Sequence, residues 1–115
     1  MIELRPRSAA PARVLELAPA RMLRALRRRG RYKYVQPRVV REGLGWKIVS
    51  PNCSRNIDTA GGEIDIAWLV PGEGGGWLLH ARDHVQQCWL LKAATPTLDE
   101  ALARVCADPL REYWQ

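Results

Sequence analysis

The sequence predicts an α+β fold, with a single antiparallel sheet of four to five strands, an N-terminal basic helix and a C-terminal amphipathic helix packed on one face. Apolar residues recur at helical spacing near both ends of the chain, and between them apolar and polar residues alternate as in strands. Glycine and proline separate the alternating runs. The 115 residues, 47% of them hydrophobic, suit one core, so we expect a single domain over 11–115 behind a loose tail over 1–10.

The N-terminal helical signal lies between Pro11 and Gly30. Pro19 is typical of a first helical turn, so we expect a fresh helix to begin there and Gly30 to end it. Arginines lie mainly opposite the apolar residues, which makes this helix amphipathic and basic. The apolar positions are Leu15, Met22, Leu23 and Leu26, and the basic ones are Arg21, Arg24, Arg27 and Arg28.

Extended segments follow the basic helix. The stretch over 32–40 is rich in strand formers, but Pro37 cannot donate a ladder hydrogen bond and places this segment at a sheet edge or bulge. A turn at Glu42-Gly43 leads to a second strand, in which the alternating side chains are Leu44, Trp46 and Ile48. In the third strand, the residues expected to share one face are Ile64, Ile66, Trp68 and Val70.

Strands three to five are predicted to form a meander. Pro71-Gly72 suits the centre of a turn, and it precedes a strand that begins at Trp77. A tight reversal over 82–85 leads to the fifth strand, Cys88 to Leu91.

A helix with a clear N-terminal signature follows the sheet. Thr97 and Glu100 form a capping box. Asp108-Pro109 supplies a second N-cap and a first-turn proline, so we expect a final short turn to fold onto the core. The apolar positions of the helix are Leu98, Ala101, Leu102, Val105 and Cys106, and those of the final turn are Leu110, Tyr113 and Trp114.

Positive charge is concentrated near the N-terminus. Twelve of the 18 lysines and arginines lie within 1–41, together with two of the 12 acidic residues. This excess predicts an anionic partner such as nucleic acid, an acidic protein surface or an anionic membrane, because guanidinium groups pair bidentately with phosphate and carboxylate. GC-rich coding is an alternative source of the arginines. The predicted binding residues are Arg21, Arg24, Arg27, Arg28, Arg29 and Arg31.

The loop over 51–62 is a second candidate for binding a small anion. Its side chains and backbone amides offer hydrogen bonds suited to phosphate or carboxylate. Alternatively, the asparagines stabilise turns through their own backbone and Arg55 pairs with Asp58. The candidate residues are Asn52, Ser54, Arg55 and Asn56.

The three cysteines include no C-x-x-C pair, so neither a disulfide framework nor a zinc ribbon is predicted. Cys53 lies near Arg55, which would favour its thiolate and make it a candidate nucleophile or redox sensor. His80, His84 and Cys88 are spaced four apart and, with Cys53, are candidate zinc ligands. The alternative, which we favour, is surface histidines and packed thiols, with no metal and no cofactor.

The five tryptophans allow two interpretations: a stacking platform for single-stranded nucleic acid, or large core residues. The chain has no phenylalanine, and Trp46 and Trp68 lie in phase with apolar strand residues, which favours the core. We expect Trp114 to be the most exposed of the five.

Several stretches resemble small uncharacterised proteobacterial proteins that share a domain of unknown function. The resemblance spans about 31–115 and implies a bacterial cytoplasmic protein, with no catalytic residues to carry over. The stretches that carry it are 31–40, 50–58, 62–69, 82–84 and 108–114.

These observations predict a non-enzymatic, cytoplasmic protein-interaction or regulatory module, with a protein partner or a homodimer. One alternative is an electrostatic nucleic-acid-binding protein, and a second is a small zinc- or thiol-dependent protein using Cys53, His80 and His84. No apolar run approaches the roughly 20 residues needed to span a membrane, and the N-terminus lacks the apolar segment of a secretory signal.

Overall fold

The computed structural model describes residues 12–28, 36–51 and 62–115, and it confirms the α+β class. Five strands form one antiparallel sheet in sequence order, and two α-helices lie on one face of it. The elements are α1 (Ala12–Leu26), β1 (Arg38–Glu42), β2 (Gly45–Pro51), β3 (Glu63–Pro71), β4 (Trp77–Asp83), β5 (Cys88–Thr95) and α2 (Leu98–Ala107), with a short 3₁₀ turn (Glu73–Gly75) between β3 and β4.

Helix α1 runs unbroken through Pro19, so the predicted fresh start at that residue is wrong. Proline inside a helix costs one backbone hydrogen bond. Ala18, Met22 and Leu26 are completely buried against the sheet, and this burial offsets that cost. The helix ends at Leu26, and the predicted stop at Gly30 lies outside the described residues.

The β1–β2 hairpin forms at the predicted turn, with Gly43 in the left-handed conformation at φ +55°. Leu44 belongs to this turn and is 78% exposed, so the prediction that it begins the second strand is wrong. Trp46 and Ile48 are buried as expected. Of the predicted first strand, the part over 32–35 lies outside the described residues.

A β-bulge in β3 reverses the pattern of its side chains. Ile48 pairs with Ala67, whereas the next residue, Val49, pairs with Asp65, so Ile66 is an extra residue in β3. Ile66 and Ala67 are therefore both buried, and the alternation changes phase after them. The prediction that Ile64, Ile66, Trp68 and Val70 share one face is wrong, because the last two lie on the opposite side from the first two.

The sheet thus has two different faces. The core face carries Trp46 and Trp77, whose ring centroids are 6.1 Å apart, and both helices cover it. Helix α1 contacts β1 and α2, while α2 contacts β4 and β5. We call the other side the outer face; the helices do not cover it, and Trp68 lies on it.

Helix α2 begins as the sequence predicts, since the Thr97 hydroxyl accepts a hydrogen bond from the Glu100 amide at 3.2 Å. The helix buries Leu98, Ala101, Leu102 and Val105. Asp108, however, does not start another helix. It is the C-cap of α2, in a left-handed conformation at φ 38°.

The Asp108 side chain organises the end of the chain. It is 1% exposed, and its carboxylate accepts hydrogen bonds from the amides of Glu112, Tyr113 and Trp114 at 2.7, 3.3 and 2.8 Å. Trp114 is also 1% exposed, and its indole donates to the Val105 carbonyl at 2.9 Å. The expectation that Trp114 is the most exposed tryptophan is therefore wrong.

The expected packing of the final turn is partly confirmed. Tyr113 is buried with Trp114, and this burial raises the pKa of its phenol to about 12. Leu110, in contrast, is 77% exposed and does not join the core.

A substitution at Gly45 tests how closely the backbones of β2 and β3 approach each other. A Cβ at this position would overlap the Leu69 carbonyl oxygen and the Val70 Cα, both of which are backbone atoms. We expect Gly45→Ala to lower the free energy of unfolding by about 2 kcal/mol or more, measured by urea denaturation. Gly72→Ala is the matched control, since its Cβ would make ordinary contacts of 3.6 Å and longer. Equal stability of the two variants would contradict the tight approach.

Asp108 tests the amide cluster at the C-terminal end. Asp108→Ala would leave three amides without their acceptor, so we expect a loss of about 2–4 kcal/mol in urea denaturation. Asp108→Asn keeps one acceptor oxygen and tolerates the left-handed conformation, so it should lose less. The control is Asp99→Ala on the exposed surface of α2, where a change under about 1 kcal/mol is expected. A similar loss for Asp99→Ala and Asp108→Ala would argue against the cluster.

Candidate functional site

Helix α1 holds its arginines at fixed angles around the helix axis. Ala18, Met22 and Leu26 anchor one side of the helix in the core. The chain continues from α1 into a turn in which the Arg28 amide donates to the Ala25 carbonyl at 3.0 Å, and this turn places Arg28 beside Arg24 on the side that faces α2, whereas Arg27 lies on a different side. The arginines that the sequence predicts on one basic face therefore lie on two surfaces, one with Arg24 and Arg28 and the other with Arg27.

Three of the predicted arginines meet helix α2. They line a groove between α1 and α2 with a volume of about 720 Å³, which we call the arginine groove. Arg27 does not line it. The groove is formed by Arg21, Arg24 and Ala25 of α1, by Arg28 in the turn after it, and by Asp99, Leu102, Ala103, Cys106 and Ala107 of α2.

The arginine groove combines positive charge with small apolar side chains. Its charged residues are three arginines and one aspartate, so its net charge is positive. Arg21 donates to Asp99 at 2.9 Å, and the two side chains are 41% and 78% exposed, so solvent screens this pair. Arg24 and Arg28 form no ion pair with any residue that the structure describes. They are therefore open to an external anion.

Cys106 joins the two helices beneath the groove. Its thiol donates to the Ala25 carbonyl at 3.4 Å. This contact and the adjacent Leu102, which is 2% exposed, set the depth of the groove. Cys106, which the sequence predicts as an apolar position of this helix, thus contributes to the contact between the two helices.

The remaining predicted anion-binding residues lie outside the described residues, so those assignments stay predictions. They are Arg29 and Arg31 after helix α1, and Asn52, Ser54, Arg55 and Asn56 in the loop after β2. Cys53 lies in the same loop and is also outside.

The two histidines occupy different environments. Among 12–28, 36–51 and 62–115, no group of three His, Cys, Asp or Glu side chains is placed to hold a metal ion. His80 lies on the outer face, where its ring centroid is 4.6 Å from that of Trp68 and its Nδ1 lies 3.1 Å from the Trp68 carbonyl oxygen. His84 lies beyond the end of β4, beside a small cavity of about 310 Å³.

The sequence analysis missed an aromatic cluster on the outer face. The Trp68 ring lies against those of His80 and Trp89 in tilted arrangements, with interplanar angles of 35° and 39°, and the two indole centroids are 5.8 Å apart. The Trp68 indole donates to the Glu42 carbonyl at 2.9 Å, and the Arg82 guanidinium lies 5.1 Å from the Trp89 ring centroid. The prediction that Trp68 is a core residue fails because the bulge turns it outward. No sequence signal marked the position of that bulge.

His84 makes the stability depend on pH. Burial, reinforced by the charge of Arg82, lowers the pKa of its imidazole below 6.5. The unfolded chain therefore takes up a proton at a higher pH than the folded chain does, so stability should fall as the pH drops below about 6.5. We expect His84→Gln to flatten this dependence in urea denaturation between about pH 7 and 5. An NMR titration of His84 that gives a pKa above 6.5 would contradict this assignment.

None of the helices among the described residues is long and apolar enough to cross a membrane. Searches of curated proteins and of solved structures found no match. A family model does match, and it covers residues 10–115, which is most of the chain. This chain therefore belongs to the family described as domain of unknown function (DUF3024), in agreement with the resemblance that its sequence shows.

Proposed function

We propose that this protein is an interaction module that binds an acidic, amphipathic segment of a partner protein in the arginine groove. The observation that carries the proposal is the pairing of unneutralised arginines with an apolar floor in one cleft. A partner segment that fits must offer carboxylates to the arginines and apolar side chains to the floor.

The positive charge of the arginine groove favours a partner segment that is negatively charged. Arg24 lies in the last turn of α1 and Arg28 in the turn that follows it, and both line the same side of the groove. Carboxylates spaced by one helical turn on a partner would meet them in register. Each charge-assisted hydrogen bond of this kind contributes about 1.5–3 kcal/mol when it is shielded from water.

The floor selects an amphipathic partner over a uniformly charged one. Ala25, Ala103 and Ala107 supply small apolar contacts between the cations. A helix with an apolar stripe buries such surface, which is how amphipathic helices dock into grooves between helices. Nucleic acid, in contrast, presents phosphates along its whole length and gains little from an apolar floor.

A peptide-binding experiment tests this function. The probe is a fluorescein-labelled helical peptide with leucines at positions i, i+3, i+4 and i+7 and glutamates on the rest of its surface. We expect saturable binding by fluorescence anisotropy at about 0.15 M salt. The double variant R24E/R28E should weaken this binding at least about tenfold, equivalent to about 1.4 kcal/mol.

Arg27 provides the matched control, since it lies directly after α1 but does not line the groove. R27E changes the total charge in the same direction as R24E but does not alter the groove, so binding should change less than about twofold. A peptide with lysines in place of the glutamates should not bind. Equal weakening by R27E and R24E, or no saturable binding of the acidic peptide, would overturn the proposal.

Labelled single- and double-stranded oligonucleotides form the second arm of the experiment. A nucleic-acid-binding protein would bind them more tightly than the peptide, would respond equally to R24E and R27E, and would lose affinity steeply with salt. That outcome would replace the proposed function with its alternative.

A further inference from the structure

The outer face of the sheet is a second exposed surface, separate from the arginine groove. Register places on it one residue in every two along the strands, and the Trp68, His80 and Trp89 cluster lies near its centre. Leu91 of β5 pairs with His80 of β4 and is 59% exposed. The other apolar residues of the outer face include Val70 of β3 and Leu78 of β4, which are cross-strand partners.

The charges of this outer face cancel, although the whole chain carries a net charge of +6. Among the described residues, three cations and three anions lie on it, and each is paired. Lys47 lies 3.5 Å from Glu42 and 3.2 Å from Asp65. The remaining pairs are Arg82 with Asp65 at 3.6 Å and Arg38 with Glu63, which make two hydrogen bonds.

These pairs are held in place by the sheet. The Arg38 guanidinium, through its hydrogen bonds, holds the pKa of Glu63 below its usual value. Asp65 lies between Lys47 and Arg82 and bridges β2 to β4 across β3. A phosphate-bearing ligand would have to displace this carboxylate from Lys47 and Arg82 before it could pair with them. The tryptophans of this face therefore do not form a nucleic-acid platform, although their rings are in contact.

We propose that the outer face packs against the outer face of a second copy of this chain, forming a twofold dimer. A second copy of this neutral face meets no net charge of like sign, and since each ion is already paired within its own face, contact between the two faces leaves no charge without a partner. Around the arginine groove, in contrast, the excess of positive charge opposes self-association. The outer face therefore offers a second copy less electrostatic repulsion than the arginine groove does.

Apolar contacts supply the attraction. Two antiparallel sheets pack face to face at a separation of about 10 Å, with their side chains interleaved. Leu91 and the partly buried Trp68 and Trp89 would leave water in that arrangement. The helices lie on the far side of each sheet, so both arginine grooves stay open in the dimer.

The sheet edges favour this face-to-face arrangement over strand pairing. In β5, Leu79 pairs with Ala93 and His80 with Leu91, so Lys92 is an extra, bulged residue on the edge strand. A bulge and a lysine both hinder the addition of another strand. The opposite edge, β1, is five residues long and follows Pro37.

Sedimentation equilibrium of the full chain tests the dimer. We expect the apparent mass to rise from one copy to two between about 1 and 200 μM, a range that spans moderate affinities. L91E should raise the dissociation constant at least about tenfold, and because Leu91 is exposed in the single chain this variant should still fold. L110E changes a leucine outside the sheet that is even more exposed than Leu91, and it should dimerise as the wild type does.

A second variant distinguishes the face from the edge. L78E alters β4, which is an inner strand, so it should also weaken a face-to-face dimer, whereas edge pairing would persist. Circular dichroism checks that both variants fold. A wild type that stays monomeric over the whole range, or an L91E variant that dimerises normally, would overturn the inference. Binding of the acidic peptide by L91E reports on the arginine groove separately.

Discussion

The β-bulge at Ile66 and Ala67 decides how the side chains of the sheet divide between its two faces. Both residues point toward the helices, so every residue after them in β3 changes side. Leu69 then completes the core, and Trp68 moves to the outer face, where its indole is fixed by the Glu42 carbonyl. Without the extra residue, Trp68 would point into the core and Leu69 into solvent. The aromatic cluster exists because of this single step in register.

The arginine groove depends on a comparable constraint in α1. A helix that buries Ala18, Met22 and Leu26 has no rotational freedom left, so the positions of its arginines are fixed with them. Arg24 and Arg28 therefore face α2, and the Cys106 thiol on the Ala25 carbonyl holds the two helices at that spacing. The charge that the sequence shows as one basic stretch becomes directional only through this packing.

Local signals made much of the fold predictable, and long-range ones did not. Thr97 caps α2 through atoms three residues apart, and the Glu42-Gly43 turn needs only its own backbone, so the sequence predicts both correctly. The bulge depends on how β3 pairs with β2, and Asp108 on which amides reach its carboxylate after the chain turns. Neither the bulge nor the hydrogen bonds of Asp108 produces a periodic pattern in the sequence. Pro19 misled for the same reason, since its tolerance inside α1 comes from tertiary burial.

The arginine groove and the outer face differ in how their charges are balanced, and this difference separates their roles. In the arginine groove, one acidic residue faces three arginines, so the charges call for an external anion. On the outer face, Asp65 pairs with both Lys47 and Arg82, and the remaining charges are also paired within the face. An anionic ligand gains electrostatic energy in the groove and loses it on the outer face, where it must first break existing pairs. The sheet lies between them, so occupancy of one surface does not obstruct the other.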